Sequence, residues 1–95
     1  MILSDITKAQ IISFLLQHGA KEVFLFGSQL SGKINEKSDI DIGVKGLPPE
    51  SFFSVMYEIE DIAKSKVDLV NFDTSERFYN HLLETNSVQK IGGAA

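Results

Sequence analysis

The chain has 95 residues, 43% of them hydrophobic, no cysteine, and a net charge of −4 from nine Lys plus Arg against thirteen Asp plus Glu. That length suits one domain with one core, burying roughly 60% of the unfolded surface, and the composition excludes disulfides, thiolate chemistry and zinc–thiolate sites. Arg77 is the sole arginine and no basic stripe is visible, which argues against direct nucleic-acid binding; no apolar run approaches the ~20 residues of a membrane helix, and MILSDITK lacks the character of a signal peptide, so a cytoplasmic protein is expected.

Residues 4–18 read as a helix. Ser4 or Asp5 can cap its start, Ile6, Ala9, Ile12, Leu15 and Leu16 form an apolar stripe, and Gly19 can end it. Residues 22–26, EVFLF, form a short apolar strand broken by Gly27-Ser28. A helical turn over 28–32 and a polar loop over 33–38 follow. The segment 39–44, DIDIGV, alternates, with Asp39 and Asp41 on one face and Ile40 and Ile42 on the other. After a Gly46-Leu-Pro-Pro turn, Pro49 suits the first position of a helix over about 49–65. That helix sets Phe52, Val55, Met56, Ile59 and Ile62 against the core and Glu58, Glu60 and Asp61 largely on the other side. Residues 67–71, VDLVN, form a third strand. Asp73 with Glu76 resembles a capping box for a last helix over about 74–90, with an apolar face of Phe78, Leu82 and Val88. The tail from Gly92 should fray. The expected architecture is an α/β (α+β) domain spanning 1–95: a small sheet of three strands with three helices, packed mainly on one side.

The chemistry lies in 24–44, FLFGSQLSGKINEKSDIDIGV. Two residues apart on a strand, Asp39 and Asp41 project from one face about 6–7 Å apart at the backbone. Carboxylates so placed can share Mg²⁺ ions, which take oxygen ligands and keep substrate phosphates in their shell. Gly27 lets the backbone approach a bulky ligand. Ser28 adds a hydroxyl, and a helical turn starting there would present free N–H groups to a phosphate. This is no Walker A loop, because no Gly-Lys-Ser/Thr follows. Asp68 lies inside Val67-Asp68-Leu69-Val70, where a carboxylate among apolar neighbours is costly unless paired or metal-bound. If its strand lies beside 39–44, Asp68 can join the other two as metal ligand and general base. Each feature has a plain structural explanation when taken alone: alternation fits a strand with one wet face, Gly-Ser is common in turns, and Asp68 could pair with Lys66. Together they form an ordered set that fits one mechanism. His18 and His81 have no partner ligand at a metal-binding spacing.

Gly27-Ser28, ten residues, then Asp39-Ile40-Asp41 resembles the hallmark of the nucleotidyltransferase superfamily that includes DNA polymerase beta, and within it the minimal nucleotidyltransferases of prokaryotes. The resemblance spans essentially residues 5–90. It implies an αβ fold with a mixed sheet, ATP as substrate, two Mg²⁺ ions, and transfer of a nucleoside monophosphate with release of pyrophosphate. Asp39, Asp41 and Asp68 are then the metal-binding and catalytic carboxylates, and Gly27, Ser28, Ser31 and Lys33 the nucleotide-binding residues. Many members pair with a helical HEPN-domain toxin and, as antitoxins, add AMP to one of its tyrosines, so a HEPN partner is implied. The family often reads Gly-Ser-x-Ala-Arg-Gly, whereas Ser31 stands at the arginine position here. That removes a guanidinium fork for phosphate, leaving Lys33 as a point charge.

Three functions follow: AMP transfer to a partner's hydroxyl, a non-catalytic nucleotide-binding module that silences a partner by occlusion, and transfer to a small molecule such as an aminoglycoside at a site built by homo-oligomerisation. Phe53 and Tyr57, off the main stripe of their helix, are candidate partner contacts. The acidic run Glu58–Asp61 reads as a solvated face or as a surface for a basic partner.

Overall fold

The computed structural model describes residues 4–27 and 40–93. The first helix, α1, covers Asp5–Gln17. Ser4 caps it, its hydroxyl accepting from the Thr7 N–H at 3.1 Å and so satisfying one of the helix's unpaired donors. At the other end Gly19 takes φ +108°. Its N–H reaches the Leu16 carbonyl while the Ala20 N–H reaches that of Leu15, a Schellman closure that turns the chain into β1, Glu22–Phe26.

The second strand, β2, is Ile40–Lys45, and Pro49 opens α2, Pro49–Ala63. The third strand, β3, is Val67–Asn71. The sheet order is β3-β2-β1, then a fourth strand β4, Val88–Gly93. Between β3 and β4 lies α3, Glu76–Glu84. β1 is antiparallel to both β2 and β4, while β2 and β3 run parallel, so the sheet is mixed.

Strand alternation divides the apolar side chains between two faces. Val23 and Leu25 of β1, Ile40, Ile42 and Val44 of β2, and Val67 and Leu69 of β3 pack beneath α1 and α2, meeting Ile11, Leu15, Val55 and Ile59. On the other face Phe24 and Phe26 join Phe72 and Leu82 under α3. Two helices thus cover one face and a short helix covers part of the other. Gly43 permits this second layer: a Cβ there would collide with the Phe72 ring. Phe72 lies over the bare backbone of β2 and is 1% exposed.

Three expectations are corrected. The last helix was expected over 74–90, with Val88 on its apolar face. It stops at Glu84 because Asn86 adopts φ +54°, with the Asn86 N–H bonded to the Leu83 carbonyl and the Ser87 N–H to that of Leu82. This second Schellman closure releases 88–93 to form β4, so Gly92 and Gly93 belong to a strand and the described sheet has four strands. Asp73 does not cap α3. Its carboxylate accepts from the Gly46 N–H at 2.7 Å, tying the β3–α3 turn to the end of β2, and Ser75 stands at the cap position with no side-chain bond. In α1, Ile11 and Leu15 face the core while Ile6 is 74% exposed. The apolar residues of this helix are spread around it among polar ones rather than gathered on one side, so spacing alone did not select the buried face.

Candidate active site

Both sides of β2 are fixed by its composition. Ile40 and Ile42 are wholly buried, which forces Asp41 onto the opposite face, where it is half-buried. Parallel pairing then sets Asp41 directly beside Asp68 of β3, and Val67 and Leu69, both buried, orient Asp68 the same way. Adjacent strands lie about 4.8 Å apart, so the two carboxylates stand side by side. On its other flank Asp41 is paired with Phe26 of β1. Gly27 follows immediately with φ +75°, and a Cβ there would strike Asp41 Oδ2. The glycine therefore serves both a backbone conformation that disfavours other residues and a close approach to the carboxylate.

The structure brings together Gly27, Asp41 and Asp68. Asp39, Ser28, Ser31 and Lys33, with the expected turn at 28–32 and loop at 33–38, lie outside the described residues. Asp68 sits on an edge strand with its side chain exposed. The expectation that its carboxylate suffers from apolar surroundings is thus corrected: alternation points it away from Val67 and Leu69, and no desolvation cost arises. Its place beside Asp41 carries the functional reading instead.

The chemistry of these donors fits Mg²⁺. They are carboxylate oxygens, the ligands a hard cation takes, and the exposed edge leaves room for phosphate oxygens and water to complete an octahedral shell. Asp41 and Asp68 would hold the ion. Among the described residues no third His, Cys, Asp or Glu completes a metal-binding group, and Asp39 is the third ligand assigned from the sequence. His18 is engaged locally, its Nδ1 lying 2.9 Å from the Phe14 carbonyl oxygen.

Aromatic residues wall the site. Phe26 meets Phe78 of α3 at 5.4 Å between ring centroids, and Phe72 meets Phe78 at 6.3 Å. Helical spacing by itself assigns Phe78 only to an apolar helix face. The available signal was the alternation in Val23-Phe24-Leu25-Phe26, which sets both phenylalanines on the Asp41 face once β1 and β2 pair. A separate cleft of about 290 Å³ is lined by Lys45, Phe72, Asp73, Glu76, Tyr79 and Asn80. It lies toward the opposite end of β2 from Asp41, and there the Lys45 ammonium stands 3.8 Å from the Tyr79 ring centroid.

Comparison with known proteins agrees with this fold. Residues 9–88 match the family model described as "Polymerase beta, Nucleotidyltransferase". A candidate protein adenylyltransferase of Methanocaldococcus jannaschii is 34% identical over 70 residues, covering 70% of this chain and 75% of the relative. Among solved structures, a toxin–antitoxin crystallised with AMP-PNP superposes with a TM-score of 0.78 at 24% identity, covering 92% of this chain and 73% of that one. An MNT antitoxin in complex with a tri-AMPylated Shewanella oneidensis HEPN toxin gives a TM-score of 0.69 at 21% identity, covering 94% and 71%. At those identities the structural matches establish the shared fold. The match over residues 9–88, carried by a sheet that pairs Asp41 with Asp68 beside Gly27, shows that the chain belongs to the polymerase beta nucleotidyltransferase family.

Proposed function

We propose that this nucleotidyltransferase moves AMP from ATP to a hydroxyl, a tyrosine, of a HEPN-domain toxin, and so acts as its antitoxin. The observation that carries the reading is the in-register pair Asp41–Asp68 on one sheet face beside Gly27. Bound Mg²⁺ would neutralise triphosphate charge and polarise the α-phosphate. Asp41, with Asp39, would hold that ion. Gly27 lets the backbone turn close against the Asp41 carboxylate, and Ser28, Ser31 and Lys33 supply donors for the phosphates. Asp68, exposed at the edge strand, accepts the proton of the acceptor hydroxyl. The hydroxyl oxygen bonds to the α-phosphorus as the bond to pyrophosphate breaks. The identity of the acceptor is supported by the named activity of the Methanocaldococcus jannaschii relative and by the complexes that share the fold.

The test combines the protein with labelled ATP, Mg²⁺ and the HEPN protein encoded beside it. Label should reach a tyrosine of that partner, and Asp41→Asn should abolish it. Absence of label despite ATP binding would favour a second reading, a nucleotide-binding module that inhibits by occlusion. One observation favours that reading: Ser31 stands where the family often has arginine, and a serine cannot neutralise the charge that pyrophosphate gains as a guanidinium would. Ser31→Arg distinguishes the two. It should raise the transfer rate of a slow enzyme and create none in a pure binder.

A further inference from the structure

We propose that Phe78 is the platform on which the nucleobase stacks, an inference that rests on the nucleotide-binding reading above. Three observations converge on it. Phe78 is in the first turn of α3 and keeps 40% of its surface exposed, although its neighbours Phe26 and Phe72 are 5% and 1% exposed. Phe26 is the cross-strand partner of Asp41, and Phe72 covers Gly43, two residues further along β2. The two rings that hold Phe78 therefore flank the backbone that carries Asp41. Finally, α3 presents its flanks to opposite ends of the sheet. Glu76, Tyr79 and Asn80 border the cleft at Lys45, while Phe78 meets Phe26 at the carboxylate end.

Cross-strand neighbours on one face are about 5 Å apart, and Phe78 lies a further 5.4 Å beyond Phe26. The ring is thus within roughly 10 Å of the Asp41 carboxylate, a separation that a ribose can bridge between an α-phosphate and its base. Phe26 meets Phe78 at an interplanar angle of 79°, an edge-to-face contact that fixes the ring and leaves surface for a second aromatic partner. A phenylalanine offers no hydrogen bonds, so stacking would strengthen binding of any base with modest preference among them.

Calorimetry in Mg²⁺ would compare ATP with inorganic tripolyphosphate, which has phosphates and no base. Phe78→Ala should weaken ATP binding about ten- to a hundredfold and leave tripolyphosphate binding unchanged. Phe78→Trp should restore ATP affinity, and its fluorescence should be quenched as ATP binds. An equal loss for both ligands would assign Phe78 a structural role and overturn the proposal, as would ATP affinity unchanged in Phe78→Ala. If the parental protein binds neither ligand, the nucleotide-binding reading itself fails, and this inference falls with it. Circular dichroism melts of each variant separate misfolding from lost stacking; should Phe78→Ala unfold, Phe78→Leu keeps the core contact and must show the same selective loss of ATP.

Discussion

Asp68 shows how position on a strand decides what a carboxylate does. It is exposed, and among the described residues no ion pair engages it, so it contributes little to stability. Asp68→Asn should therefore shift folding stability by less than about 0.5 kcal/mol while reducing transfer about 10²–10⁴-fold, the usual loss for a general base. Single-turnover kinetics and a urea melt would check both halves, and transfer at the parental rate would remove Asp68 from the mechanism. Gly27 gives the opposite pattern. Alanine there must hold φ near +75° and meet Asp41 Oδ2. Gly27→Ala should cost about 1–2 kcal/mol in stability and also displace the Asp41 carboxylate. Nucleotide affinity should fall by more than the stability loss explains, and binding titrations beside thermal melts would reveal an affinity left intact.

At the scale of elements, the turn after α3 decides the sheet. Asn86 at φ +54° closes the helix and sends residues 88–93 to pair with β1. Without β4, β1 would be an edge strand with unpaired N–H and C=O groups. Asn tolerates the left-handed conformation better than alanine does. Asn86→Ala should therefore cost about 1 kcal/mol and Asn86→Gly should stabilise or leave unchanged, as equilibrium denaturation would measure; equal effects would show that the turn imposes no conformational demand. The outer side of α2 makes a second case. Phe53 and Tyr57, four residues apart, are 74% and 83% exposed, and the helix carries four acids and no base. Replacing both aromatics by serine removes no buried side chain, only the edge-on contact of Phe53 with Phe52 at 5.8 Å between centroids. Stability should change by under about 0.5 kcal/mol while affinity for the proposed HEPN partner drops at least tenfold, measured by surface plasmon resonance; parental affinity would place the contact elsewhere.

For the whole molecule, ligand binding and folding are linked. If ATP with Mg²⁺ binds only the native state, a hundredfold excess over Kd adds about 2.7 kcal/mol. For a domain near this size each kcal/mol moves Tm by roughly 4–8 °C, so Tm should rise by more than about 10 °C. Chelation of the metal should reverse the rise, and scanning calorimetry showing no shift would exclude the site as a nucleotide site. The described helices include none long and apolar enough to cross a membrane. The fold itself is a layered compromise. Two helices dry one sheet face; among the described residues the short helix α3 packs over the aromatic residues of the other, with Asp41 and Asp68 on that same face.

How much of this was legible in the sequence follows from the range of the interactions involved. Local rules were sufficient for α1, β1, β2, α2 and β3, because caps, proline placement and strand alternation act within a few residues. The motif from Gly27 to Asp41 was also legible, since its spacing is itself a sequence property. The alternation in Asp39-Ile40-Asp41-Ile42 predicted which face Asp41 takes, but not what would lie beside it. That needed the parallel pairing of β2 with β3, a contact across 27 residues, which brought Asp68 alongside as an exposed carboxylate rather than a buried one. β4 escaped detection because Val88 suits either a helix face or a strand, and only pairing with β1 settles the choice. Asp73 likewise looked like a helix cap until the fold offered it the Gly46 N–H. Polar groups near a chain reversal take whichever partner the tertiary structure brings within reach.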